Sequence, residues 1–265
     1  MSAELAVMEI TALLRSGTSA PIAKRQLRTK DLSEFQVKQF HFIWEVATES
    51  GGHLALALDR LSEVFRAQQR QFLELSIAFA SPKATANLIL LLPLVAVIFS
   101  ELLGLSALGA SFGTALGVIS IGLGLLLLIV ARISSLRMLE KAKPREADPG
   151  AFLDAVAIGL SAGLSPKAAA ALARTKSKQL FAEDVASDQL TIFWDAVKVS
   201  EQSGIALNGL LLARADTLRH RLWSKHRTQL AKLSVSLLIP LGLAALPAFV
   251  FLAVVPVGIG LFSAM

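Results

Sequence analysis

The sequence predicts an all-α integral membrane protein with two homologous cytoplasmic helical-bundle units and three transmembrane helices. Three observations carry this expectation. The 265 residues are 54% hydrophobic and only 17% charged, with a mean hydropathy of +0.61, whereas soluble domains usually carry about a quarter charged residues. The charge is unevenly placed: Glu101 is the only charged side chain between Ala84 and Ala131, and Leu233–Met265 has none. The chain also spells one helical pattern twice, as "ESGGHLALAL" from Glu49 and "EQSGIALNGL" from Glu201.

Residues 1–83 form the first expected unit. The opening "MSAELAVMEITALLRSG" carries Glu4 and Glu9 and no continuous apolar stretch behind a basic start. It reads as an amphipathic helix rather than a signal peptide. Gly17 is placed to close that helix in the left-handed conformation, and Ser19 to cap the next. A helix containing Trp44 follows and ends at Gly51-Gly52. The amphipathic run from Leu54 then enters the first span.

Residues 84–131 supply two spans of roughly 20 residues, the length that crosses the hydrocarbon core. "SELLGLSALGAS" divides them, with a short external loop near 104–106. Gly109, Gly113 and Gly117, at four-residue spacing, predict a helix-packing ridge on the second span.

Residues 132–232 repeat the first unit. Gly163 and Ser165 keep the spacing of Gly17 and Ser19, and Pro166 suits a first helical position. Trp194 is expected to match Trp44 in the core, and Gly204 to match the Gly51-Gly52 turn. Gly17, Gly51, Gly52, Gly163 and Gly204 are therefore read as the hinges of a repeated helical unit, with Glu49 and Glu201 as helix-end or interface residues. Pro93 and Pro240 mark the matching membrane entries. Four features recurring in order indicate an internal repeat.

Residues 233–265 form the third span. Its 33 residues would make a straight helix of about 50 Å, so Pro240, Pro247 and Pro256 predict a tilted or broken one. Whether residues 257–265 re-enter the membrane is left open. Lys and Arg number 10 in residues 1–83 and 16 in residues 132–232, with none elsewhere. Basic segments stay cytoplasmic, which places the N-terminus inside and the C-terminus outside.

Enzymatic chemistry finds no support. There is no cysteine and no phosphate-binding GxxxxGK[ST]; "AGLSPKAAA" offers Lys167 without the glycine loop. His41, His53, His220 and His226 lack metal-ligand spacing, and no G-x-S-x-G nucleophile occurs. No catalytic residue, cofactor site or metal site is expected. The spans lack the mid-bilayer charges of ion-coupled transporters, and Glu101 reads as interfacial. Arg214, Arg219, Arg221, Lys225 and Arg227 lie close to the third span. They are expected to face anionic headgroups or an acidic partner. The pI near 9.8 follows the positive-inside pattern and does not indicate nucleic-acid binding.

These stretches, "ATESGGHLALALDRLSEVFR" with "LLLPLVAV" and "SEQSGIALNGLLLARADTLRHR" with "LIPLGLAALPAFVFLAVVPV", resemble the type II secretion system F family. The first half is similar to TadB-like and the second to TadC-like platform proteins of tight-adherence (Flp, type IV) pili, here joined in one chain. The resemblance implies an inner-membrane platform of a bacterial pilus or type II secretion-like machine. Such a platform couples a hexameric cytoplasmic ATPase to pilin or pseudopilin subunits. Two units per chain and a sixfold motor favour a homotrimer. The alternative is a transporter or permease membrane subunit.

Overall fold

The computed structural model describes residues 2–102, 107–141, 146–182 and 184–263, and all regular structure among them is helical. The external loop expected near 104–106 lies outside the described residues. In chain order the α-helices are α1 (Ala3–Arg15), α2 (Ala20–Arg25), α3 (Glu34–Ser50), α4 (Leu54–Leu102), α5 (Ala107–Phe112) and α6 (Ala115–Lys141). They continue as α7 (Ala151–Ser161), α8 (Pro166–Phe181), α9 (Ser187–Ser203), α10 (Leu207–Ser236), α11 (Leu238–Phe249) and α12 (Val255–Ser263). The chain divides into one unit of Met1–Phe72 with Arg145–Lys225, and another of Leu73–Pro144 with His226–Met265.

In the first unit the helix ends follow from local chemistry. Gly17 takes φ 89°, its N–H donates to the Leu14 carbonyl and the next N–H to that of Leu13. Gly163, at φ 90°, repeats both bonds, to Leu160 and, through Leu164, to Gly159. This two-bond closure needs a left-handed residue, which glycine supplies without a Cβ clash. Ser33 and Gln36 form a reciprocal capping box before α3, and Ser165 accepts from the Ala168 N–H before α8, with Pro166 following. Helices α3 and α9 are each 17 residues long, and each is closed by a left-handed glycine, Gly51 or Gly204. Gly52 is not left-handed; a Cβ there would lie 3.4 Å from Ile158 on α7.

Both chain segments of this unit contribute to its one hydrophobic core. Helix α3 lies on α7 and α8, with the Phe35 and Phe42 rings each 5.8 Å from that of Phe181. Lys176 on α8 bridges Glu45 and Glu49 on α3, so Glu49 is an inter-segment contact. Trp44 is 5% exposed, but Trp194 is 50% exposed and is not its core counterpart. The reason is register. Counted back from Gly51 and Gly204, Trp194 stands where α3 has His41. Phe193 stands where α3 has Phe40, and both phenylalanines are fully buried.

The second unit holds three helices long and apolar enough to cross a membrane, Ala84–Leu102, Ala115–Lys141 and Leu241–Leu261. The expected ridge of Gly109, Gly113 and Gly117 does not lie on one helix. Thr114 accepts from the Gly117 N–H at 3.2 Å and so caps a new helix, α6. Gly109 stays on α5 and Gly113 in the turn between them. The packed face of α6 is instead Gly117, Ser120, Gly124, Leu128, Ala131 and Ser135. A Cβ at Gly117 would overlap the Ser111 backbone, and one at Gly124 the Leu252 side chain. Small residues here allow close backbone approach.

Opposite that face, residues Val250–Val254 widen into a π-turn between Pro247 and Pro256. The Val255 N–H reaches back to the Val250 carbonyl. At this pitch the Phe251 carbonyl points to residue 256, a proline with no N–H to give. Ser120 on α6 supplies the missing donor, its Oγ lying 2.5 Å from that carbonyl. An unsatisfied carbonyl at bilayer depth is costly. Ser120→Ala should therefore destabilise the second unit by roughly 0.6–1.7 kcal/mol, read as a lower unfolding midpoint in detergent, while Ser134→Ala, outside the packed face, leaves it unchanged.

Candidate functional site: a buried ion network

Helix α7 reads "AFLDAVAIGLS", apolar except for Asp154 and the terminal Ser161, and most of it is buried. A buried carboxylate must be paired. Two arginines reach it: Arg219 on α10 donates through Nη2 to Asp154 Oδ2, and Arg60 on α4 through Nε to Oδ1 at 3.3 Å. Arg219 also grips Asp148 with two parallel bonds, Nε to Oδ1 at 2.7 Å and Nη2 to Oδ2 at 2.8 Å. Such forked pairing is specific to the planar guanidinium. Asp216 closes the ring, accepting from Arg60 at 2.5 Å and from Arg219 at 3.4 Å. Gln39 on α3 donates to the second oxygen of Asp148.

The network is deep. The Asp148 side chain is 0% exposed, that of Asp154 4% and that of Arg219 11%. Gly150 makes room for it: a Cβ there would come 2.8 Å from Arg219 Cζ and 2.9 Å from the Ala215 carbonyl. The Gly150 N–H also donates to Asp148 Oδ1 at 2.9 Å, fixing that carboxylate at the start of α7. Burial opposes charge on Arg219, but Asp148 and Asp154 outweigh it and hold the guanidinium above its ordinary pKa. Burial likewise opposes charge on Arg60, and Asp154 and Asp216 outweigh it there. Chemically the site is a lock: its cations stay charged, and each carboxylate faces an arginine.

The network joins three stretches of chain. Arg60 lies on the helix that carries the first candidate span, Asp148 and Asp154 follow the second, and Asp216 and Arg219 precede the third. A matching pair occurs in the first half. Arg66, as far into α4 as Arg219 is into α10, donates to Glu4 in the first turn of α1 at 2.7 Å. That pair is open, with the Arg66 side chain 44% exposed.

Of the basic residues expected to face lipid or a partner, Arg219 is thus corrected. Three carboxylates hold it inside the unit. Arg214 is half-buried, and Arg221 and Lys225 are exposed on α10. Arg227, also exposed, belongs to the second unit. The turn glycines Gly17, Gly51, Gly163 and Gly204 lie at helix ends and not in the network. The pairing of Asp154 with Arg60 and Arg219 was missed by sequence reasoning, although a lone aspartate in an apolar helix was the signal for it.

Residues 4–100 match the family model for the type II secretion system (T2SS) protein F. This supports the type II secretion system F family for that part of the chain, which includes Arg60 and most of the first candidate span. No curated protein and no solved structure matches the chain.

Proposed function

We propose that the chain is the inner-membrane platform of a tight-adherence-type pilus or a related type II secretion machine. In this role it passes the movement of a hexameric cytoplasmic ATPase to pilin or pseudopilin subunits. The observation that carries the reading is the buried network. Chain segments adjoining all three candidate spans are fastened to one another by Arg60 and Arg219, so a displacement imposed on the helical unit is shared among them. Mechanical coupling requires such packed, rigid connections. The match over residues 4–100 supplies the family context.

The two segments of the helical unit, with their paired helix closures at Gly17 and Gly163 and at Gly51 and Gly204, represent an ancestral duplication. The N-terminus and the helical unit are cytoplasmic and the C-terminus is external, following the placement of Lys and Arg. The chain works without cofactor or metal as a homotrimer that presents six similar segments to the motor. Exposed Arg221, Lys225 and Arg227 contact anionic headgroups or an acidic face of that motor.

Crosslinking of the tagged protein in its native membrane, followed by purification, should recover a hexameric secretion ATPase and small pilins. Recovery of solute-binding or nucleotide-binding transporter subunits in their place would reject the platform and favour a permease.

A further inference from the structure

One face of a helix is covered in one half of the first unit, and its counterpart is about half exposed in the other, where Arg66 Nη2 lies 3.9 Å from Met8 Sδ. On α7 the positions Ala151 and Asp154 are buried, with α3 and Arg60 laid over that helix. Counted from Gly163 and Gly17, the matching positions on α1 are Leu5 and Met8, which are 49% and 42% exposed. Ile22 on α2 is likewise an exposed apolar side chain, at 55%.

The helix that corresponds to α3 is α9, by its length and its left-handed glycine closure. It turns Phe193 inward against Phe152 and leaves Trp194 half exposed, with Val199 at 36%. Charge is complementary between the two faces. Arg25, Arg28 and Lys30 follow Ile22 in the sequence and are exposed, whereas α9 exposes Asp188, Asp195 and Glu201 against a single base, Lys198. The nearest acid to Arg28 is Glu9, at 4.0 Å with both side chains open to solvent.

We infer that α9 of a second copy of this chain docks on the α1–α2 face, repeating between chains the contact that α3 makes with α7 and α8 within one. This rests on the correspondence of the two halves and is independent of the platform reading. Trp194 is the aromatic anchor, of the kind that dominates interface energetics, set against the exposed parts of Leu5 and Met8. The acidic rim of α9 against the basic α2 segment sets orientation and excludes like-charged faces. Because the two surfaces differ, each chain offers one face to a neighbour and keeps the other for the next, an arrangement that closes into a ring when the rotation permits.

The chain has no cysteine, so introduced ones report without background. Full-length chains carrying Met8→Cys and chains carrying Thr191→Cys, an exposed position on α9 that leaves Trp194 in place, with different tags, are co-expressed, and their membranes are treated with a short bismaleimide. The expected product carries both tags. Its absence, or Met8→Cys chains linked to one another in its place, overturns the inference. A charge swap checks the rim without touching the core. R25E/R28E/K30E on the Met8→Cys chain should lower the two-tag product by about fivefold or more. Adding D188K/D195K on the Thr191→Cys chain should restore it. Loss without restoration would show that the basic face binds another partner, and would also overturn the inference.

Discussion

Arg219→Met should destabilise the helical unit by about 3–5 kcal/mol, the cost of leaving buried charge without its partner. The variant keeps the aliphatic stem but strips Asp148 of both forked bonds and Asp154 of one. Arg60 still reaches Asp154, but Asp148 keeps only Gln39 and the Gly150 N–H. A denaturant midpoint in detergent reads the loss directly. Arg219→Lys should recover only part of it, because an ammonium cannot make the paired bonds. The defect should also depend on pH with a defined sign. Burial raises the Asp154 carboxyl above its ordinary range, so in the variant its ionised form penalises folding at neutral pH. That penalty is relieved as pH falls through the raised value. The gap between variant and parent therefore narrows on acidification. Equal midpoints at neutral pH would mean that the network holds nothing together.

Phe193→Ala should cost about 3–5 kcal/mol, whereas Trp194→Ala, one residue on, should stay within about 0.5 kcal/mol. Phe193 is fully buried, with its ring edge-on to Phe152 at 6.2 Å. Half of Trp194 faces solvent. Thermal unfolding of the two purified variants separates them. A large loss at Trp194 with none at Phe193 would mean that α9 is rotated by one residue about its axis.

That contrast also shows what the sequence could and could not disclose. The helical class and the three membrane-length helices were legible because hydropathy accumulates along the chain and needs no tertiary information. The inward side of α9 was not, because two aromatic residues stand together at 193–194 and the register is set ten residues on, at Gly204. The ridge of Gly109, Gly113 and Gly117 failed for a similarly local reason. The Thr114 hydroxyl starts a new helix within it, and regular spacing alone does not reveal that.

The ion network was the least legible feature. Arg60 meets Asp154 across 94 positions and Asp216 across 156, and a single sequence carries no record of such pairing. Arg219 sits in a basic run expected, with its neighbours, to face anionic headgroups or an acidic partner. Its separation from them comes from Gly150, whose missing side chain opens the space into which the guanidinium fits. Asp154 alone, an acid inside "AFLDAVAIGLS", pointed to a buried partner.

For movement to be shared among the candidate spans, the two segments of the helical unit must form one mechanical body, fastened by Arg60 and Arg219. Hydrogen exchange of the full-length protein in lipid nanodiscs tests this most directly. Amides of α3 in the first segment and of α7 and α8 in the second should open together, with one free energy, as a single cooperative unit. Arg219→Met should lower that shared value in both segments equally. Separate opening of the two segments, with Arg219→Met loosening only α10 and its neighbour α7, would contradict it.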